Sequence, residues 1–316
     1  MLADTIRKIK ELKIQGARKI SIAALKAIKY EVSKIKARNR ESFLKKVFSL
    51  CKKISRARPT EPALRNAIAY FLIKLEKVRE EDVRILKKEA RRIIDYYLRD
   101  MEDIHERVAE IAARRIPNNS KILTHCHSAT VEQSLKKAFD LGKRFEVVAT
   151  ETRPLFQGHI TARNLATYGI KVTLIVDSAM RSLMKECNLC LIGADVIAAN
   201  GAVINKIGSS ILATVAKELN KELIVVAGLY KFDPLTAEGF LEPIEERDPK
   251  EIIGNKRFPK NVKVRNLAFD AIAPDKISAI ITEAGILAPI EVKENFYKRL
   301  NINEEKFLEM LKRLIE

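Results

Sequence analysis

The sequence predicts an α/β protein: an N-terminal helical, basic domain over residues 1–116, then a mostly parallel, Rossmann-like sheet with helices on both faces over residues 117–316. Three observations carry this prediction. Up to Ile116 the apolar residues recur at helical spacing. After Ile116-Pro117-Asn118-Asn119-Ser120, where proline and asparagine stop a helix, short runs rich in β-branched residues alternate with helical patterns. A chain of 316 residues, 47% hydrophobic and 32% charged, is long and apolar enough for two soluble domains.

In the first domain Ile22, Leu25, Ala27 and Ile28 mark one helix, and Val83, Leu86, Ala90, Ile93, Ile94 and Tyr97 another. The segment Arg56–Pro62, with two prolines, breaks the pattern between them. In the second domain KILTH (121–125), FEVVAT (145–150), KVTLIVD (171–177), LCLIGAD (189–195) and ELIVVAG (222–228) are the strands. VEQSLKKAFDLGK (131–143), HITARNLATYG (159–169) and SSILATVAKELNK (209–221) are helices between them. Strands that are apolar throughout are buried on both faces, and their alternation with helices means parallel pairing.

The formal net charge is +18, and residues 1–116, with 31 Lys+Arg against 16 Asp+Glu, hold +15 of it. Such a domain suits an anionic ligand, an acidic partner or a solvated helical surface. Neither a Cys/His finger spacing nor an aromatic RNP-like strand accompanies the charge, so nucleic acid is not the expected partner. No apolar run is long enough to span a membrane, and MLADTIRKIKELK lacks the apolar core of a secretory leader. Four cysteines without a leader fit reduced thiols in a cytoplasm. The absence of Trp, the sparse Gly and the abundance of Lys, Arg, Glu and Ile point to a thermophile. GxGxxG, Walker, GxSxG and metal-ligand spacings are missing, so neither a cofactor nor a metal is expected.

In open parallel sheets ligands bind beyond the carboxyl ends of the strands. Those ends carry Cys126-His127-Ser128, Glu151-Thr152-Arg153-Pro154, Asp177-Ser178, Asp195, and Tyr230-Lys231. The segment Asn200–Ser210, with Gly201, Lys206 and Gly208 leading into a helix, has the make-up of a phosphate site. Plainer readings compete at each point. A cysteine is more often a small hydrophobe than a reactive group, and this applies above all to Cys187 and Cys190. Asp177 and Asp195 also suit helix caps. His105 and His159 lie in helical patterns as surface or core residues.

ETRPLFQG (151–158), GADVIAANGAVINKIGS (193–209) and NLAFDAIAPDKISAIITEAGIL (266–287) resemble the superfamily of initiation factor 2B α/β/δ subunits and the sugar-phosphate isomerases related to them. The resemblance covers nearly the whole chain. It implies that Cys126, in ILTHCHS, and Asp195, in GAD, form a catalytic pair, which regulatory α subunits typically lack. ILTHCHS is similar to the ribose-1,5-bisphosphate isomerases rather than to the methylthioribose-1-phosphate isomerases, whose motif runs closer to TxCNTG. The matching substrate positions are Arg58, Ser128, Ala129, Thr130, Asn205, Lys206 and Lys231, with Arg153 from the shared ETRP motif. The family's N-terminal phosphate loop is Arg-Gly-Ala-Gly or Arg-Gly-Ala-Pro; here it is Gln15-Gly16-Ala17-Arg18, with Arg18 offering a replacement charge.

The resemblance thus implies an aldose–ketose isomerase that turns ribose 1,5-bisphosphate into ribulose 1,5-bisphosphate, in archaea a step of nucleotide degradation. The C1 phosphate locks the sugar as a ring, so the enzyme needs an acid at the ring oxygen, by resemblance Asp195, and a base at C2, by resemblance Cys126. A thiol base calls for a lowered pKa and a carboxylic acid for a raised one. The implied partners are a phosphorylated sugar and further copies of the chain, as a dimer or a hexamer of dimeric units. The alternatives are a non-catalytic regulatory subunit of the initiation factor 2B type and a methylthioribose-1-phosphate isomerase.

Overall fold

Pro62 occupies the first turn of a helix, where its missing N–H goes unused, and every residue from Pro62 to Ile73 is buried. A helix covered on all sides lies at the centre of a helical layer. In a computed structural model, which describes residues 1–239 and 244–316, this helix α4 (Pro62–Glu76) is packed by α2 (Ala17–Lys34), α3 (Arg40–Ser55) and α12 (Glu304–Ile315). Helix α1 (Leu2–Lys10) rests on α2. Helix α3 starts on a capping box: Asn39 Oδ1 accepts from the Ser42 N–H at 3.0 Å, and the Ser42 hydroxyl accepts from the Asn39 N–H. Phe232 in the two-residue strand β8 (Phe232–Asp233), Phe296 and Tyr297 in α11 (Val292–Leu300) and Phe307 in α12 form one aromatic cluster. Ring centroids there lie 5.0–5.4 Å apart along the chain of neighbours from Phe232 through Phe296 to Tyr297 and Phe307.

That cluster explains the composition of the first compact unit: Met1–Ile104, the described residues of 230–240, and Lys293–Glu316. The change from helical to strand patterns predicts one boundary, at residue 116. The compact units divide within α5 (Val83–Arg115), after Ile104, and two distant segments join the helical unit because their aromatic residues are buried there.

The second unit, His105–Leu229 and the described residues of 241–292, is built on a seven-stranded sheet. Its strands are β1 (Ser120–Thr124), β2 (Phe145–Thr150), β3 (Lys171–Ile175), β4 (Leu189–Ile192), β7 (Glu222–Val226), β10 (Ala279–Thr282) and β11 (Gly285–Leu287). Their order is β11-β10-β7-β4-β1-β2-β3, and every pair is parallel except β10 with β11. Leu123 sits at the centre, opposite Val148 on one side and Cys190 on the other. All three are buried, as the unbroken apolar runs require. The five strands expected from those runs are all present, with α6 (Ala129–Asp140), α7 (Gln157–Thr167) and α9 (Ser209–Glu218) between them; α8 (Met180–Met184) and α10 (Lys250–Ile253) are short additions. One expectation is corrected: β3 is an edge strand, and Lys171, Thr173 and Leu174 are exposed rather than buried on both faces. The five predicted runs did not include β10 and β11 of the main sheet, nor β5 (Val196–Ala198), β6 (Val203–Lys206) and β9 (Phe269–Ile272), which pair antiparallel beside it. No helix among the described residues is long and apolar enough to cross a membrane.

The topology fixes where chemistry belongs. From β1 the chain moves outward through β2 and β3, then returns to add β4, β7 and β10 on the other side. The order reverses between β1 and β4, and the crevice beyond their carboxyl ends is the place for a ligand.

Candidate active site

Cys126 follows β1 and Asp195 follows β4, the two strands that flank this reversal. The two exits are in contact. A Cβ placed on Gly193 would lie 2.6 Å from Ser128 Oγ, so only glycine lets the β4 exit pass so close. Ser128 caps α6, its Oγ accepting from the Val131 N–H at 3.4 Å, and Ala129 and Thr130 form the first turn of that helix. The N–H groups there lie at the positive end of the helix. Asp195 is half-buried, with its N–H donated to the Ile204 carbonyl at 2.9 Å.

Cys126 adopts φ 67°, a left-handed conformation unusual for a residue with a side chain. Its N–H donates to Thr152 Oγ1 at 2.9 Å, and its carbonyl accepts from the Thr161 hydroxyl at 2.9 Å. Burial pushes the thiol up to about 11; the nearby Lys206 ammonium pulls the other way, while Asp195 and Asp177 add to the rise. This corrects the expectation of a lowered thiol pKa. A lysine is present as expected, but desolvation outweighs it, and the resting sulfur keeps its proton at neutral pH.

His125, buried beneath, has Nδ1 2.6 Å from Thr150 Oγ1 and Nε2 2.8 Å from the Ile207 carbonyl. A carbonyl only accepts, so Nε2 carries the proton and Nδ1 accepts from Thr150. Burial lowers the His125 pKa and keeps the ring neutral. His127 Nδ1 lies 3.1 Å from Thr161 Oγ1 and 3.6 Å from Glu132. Asp177 takes the N–H groups of Thr152 (2.8 Å) and Arg153 (2.7 Å), fixing the loop after β2. A Cβ on Gly158 would fall 1.7 Å from the Thr150 carbonyl oxygen, so α7 can begin here only with glycine.

Lys206 is buried, pairs across the strands with Phe269, and holds its ammonium 4.7 Å from that ring's centroid. Asn205 donates to Ser209 Oγ at 2.9 Å. The start of α9, expected to offer open N–H groups to a phosphate, already holds an anion. Asp270 accepts from the N–H groups of Gly208 (3.0 Å) and Ser210 (3.1 Å) and from the Ser210 hydroxyl (2.7 Å). That helix end is therefore self-capped, and what remains of the expected site is Asn205 and Lys206. Arg153 reaches the Ile252 carbonyl at 3.1 Å and stacks on Phe156.

The other expected residues belong to the helical unit. Gln15, Gly16, Ala17 and Arg18 form the start of α2, with Gly16 at φ 87°. Arg18 forms an ion pair with Glu102 of the same unit. Arg58 lies half-buried in the turn before α4. Lys231 is buried, and its two flanking carbonyls, of Tyr230 and Phe232, both accept from Asn66 Nδ2, at 3.0 and 2.7 Å. The residues that sequence reasoning missed are Thr152 and Thr161 as partners of Cys126, and Asp270. Thr152 and Asp270 carried a signal, their places in ETRPLFQG and NLAFDAIAPDK, and Thr161 carried none.

Residues 13–289 match the Initiation factor 2 subunit family. The chain belongs to that family. A Pyrococcus furiosus protein named ribose 1,5-bisphosphate isomerase is 39% identical over 309 residues, 96% of this chain and 93% of that protein. Among solved structures, 5-methylthioribose 1-phosphate isomerase from Pyrococcus horikoshii has a TM-score of 0.77 at 27% identity, covering 94% of this chain and 88% of that one. Translation initiation factor eIF-2B from the same organism has a TM-score of 0.76 at 28% identity, covering 91% of this chain and 97% of that one. The chain is thus similar to isomerases and to a translation factor, and the site residues have to separate the two readings.

Proposed function

We propose that the chain isomerises ribose 1,5-bisphosphate to ribulose 1,5-bisphosphate, with Cys126 and Asp195 as its acid/base pair. The observation that carries the reading is the placement of a thiol and a carboxylate just beyond the carboxyl ends of the two strands flanking the topological switch point. The likeness to the Pyrococcus furiosus isomerase supports it.

The reaction needs one proton delivered to the ring oxygen as the C1–O4 bond breaks and one removed from C2. The resulting enediol phosphate then takes a proton at C1 and gives one up from the C2 hydroxyl, so both protein groups end as they began. In the assignment with Asp195 as acid and Cys126 as base, the pair works with one proton between its two members. A thiolate formed in so apolar a place is a strong base, suited to a carbon acid. Ser128, Ala129 and Thr130 at the α6 N-terminus, Asn205, Lys206 and Arg153 are the proposed phosphate ligands of the sheet unit. Gly16, Ala17, Arg58 and Lys231 are those of the helical unit, with Gln15 and Arg18 the weakened part of its loop. The working form is a homo-oligomer.

The test is incubation of the pure protein with ribose 1,5-bisphosphate, following the ketose product, beside methylthioribose 1-phosphate. Turnover of the bisphosphate alone supports the proposal. Turnover of the thiomethyl sugar alone, or of neither, overturns it.

A further inference from the structure

Every polar group of Cys126 is held by a side chain from one short segment. Thr152, fully buried, accepts the Cys126 N–H at 2.9 Å. Thr161, 2% exposed, donates to the Cys126 carbonyl at 2.9 Å. Gln157 Oε1 accepts from the thiol at a sulfur distance of 3.6 Å. The segment is itself anchored: Asp177 binds the Thr152 and Arg153 N–H groups, and Gly158 lies against the Thr150 carbonyl. Thr152, at φ 62°, is left-handed like Cys126 at φ 67°. Two such residues persist only where the surroundings over-determine them. The three bonds to Cys126 do so, and they also aim the sulfur.

We infer that Thr152, Gln157 and Thr161 are positioning residues that lock the backbone and thiol of Cys126 for proton transfer. This rests on the reading that Cys126 is catalytic. The Thr161 hydroxyl has one proton, and the Cys126 carbonyl takes it, so His127 Nδ1–H donates to Thr161 and ties His127 into the same frame.

Thr152→Val and Thr161→Val keep shape and remove one bond each. Each lowers kcat by at least about 10-fold with KM changed less than about 3-fold, and Thr161→Ser brings kcat back to within about 3-fold of wild type. A second readout does not need turnover. Cys51, Cys187 and Cys190 are buried, so iodoacetamide labelling across pH, followed on the Cys126 peptide, reports this thiol. In the valine variants the thiol relaxes toward solvent, its midpoint falls from about 11, and labelling at a fixed mildly alkaline pH rises about 10-fold per unit of fall. Gln157→Leu, at a half-buried position, gives the same downward shift and carries the test where a valine variant does not fold. Wild-type kcat and labelling profiles in these variants overturn the inference. Wild-type turnover by Cys126→Ser removes the catalytic reading instead, and the labelling profile then still decides whether the segment sets the state of the thiol.

Discussion

Asp270 gives the sharpest handle on how the site is held. Its carboxylate takes two N–H groups and a hydroxyl at the start of α9, at 2.7–3.1 Å. Asp270→Ala strips the anion from a helix N-terminus and leaves three donors to water. Hydrogen bonds to a charged group contribute roughly 1.5–3 kcal/mol each when buried, but Asp270 is only half-buried and water re-pairs the donors, so the net loss is about 1.5–3 kcal/mol for the group, helix dipole included. For a unit of this size that lowers Tm by roughly 4–10 °C. Asp270→Asn keeps an acceptor and loses less than half as much. The effect reaches the site, because Gly208 lies against His125, with 3.1 Å from its would-be Cβ to the ring, and His125 holds the Ile207 carbonyl. A loosened α9 start therefore costs turnover as well as stability. Freed of its own anion, the helix end becomes the anion site that the sequence suggested, so inorganic phosphate raises the Tm of Asp270→Ala more than that of wild type. Scanning calorimetry of the three proteins with and without phosphate decides it. A variant melting within a degree of wild type, or one that phosphate stabilises no more than wild type, refutes the reasoning.

Asp195→Asn keeps shape but delivers no proton, and its kcat falls by about 10²-fold or more with KM little changed, whereas a change in KM alone means the acid lies elsewhere. Asn66→Ala frees the carbonyls on both sides of Lys231; bisphosphate KM rises, and the variant loses about 1–3 kcal/mol in urea unfolding, since two buried acceptors lose their donor. His125 is buried with a pKa below its ordinary 6.5, so the unfolded chain binds its proton first: the stability from keeping it neutral is complete above pH 6.5 and is lost as pH falls toward the folded value. Tm measured from pH 7.5 down to 5.5 therefore declines, and His125→Asn shows a shallower decline.

The sheet was legible because its central strands are buried on both faces, and unbroken apolar runs such as Leu189–Ile192 have no other explanation in an α/β chain. The exposure of β3 was not, since a run such as Lys171–Ile175 reads alike at the centre and at the edge. Strands of three or four residues, as in β5, β6 and β9, are too short to show a period. Cys126 and Asp195 stood out as candidates because they follow strand ends, where ligands bind in open parallel sheets. Their environment was not. Whether burial or Lys206 governs the thiol is a contest of magnitudes, and only the packing decides it. The pairing of Arg18 with Glu102 joins residues 84 apart in sequence, and the seating of Asp270 on α9 joins residues 60 apart.

Positive φ is the deeper reason that Thr152 and Thr161 went unnoticed. Sequence signals for a left-handed residue are glycine and asparagine, and neither stands at 126 or 152. A cysteine there is disfavoured by its own Cβ, so its neighbours must hold it. Hydroxyls placed to bind its N–H and carbonyl meet the cost of the left-handed turn at the β1 exit. Glycine at 126 would relieve the backbone and remove the sulfur. The strain is therefore what a side chain at this turn entails, and the threonine segment is what holds it in place.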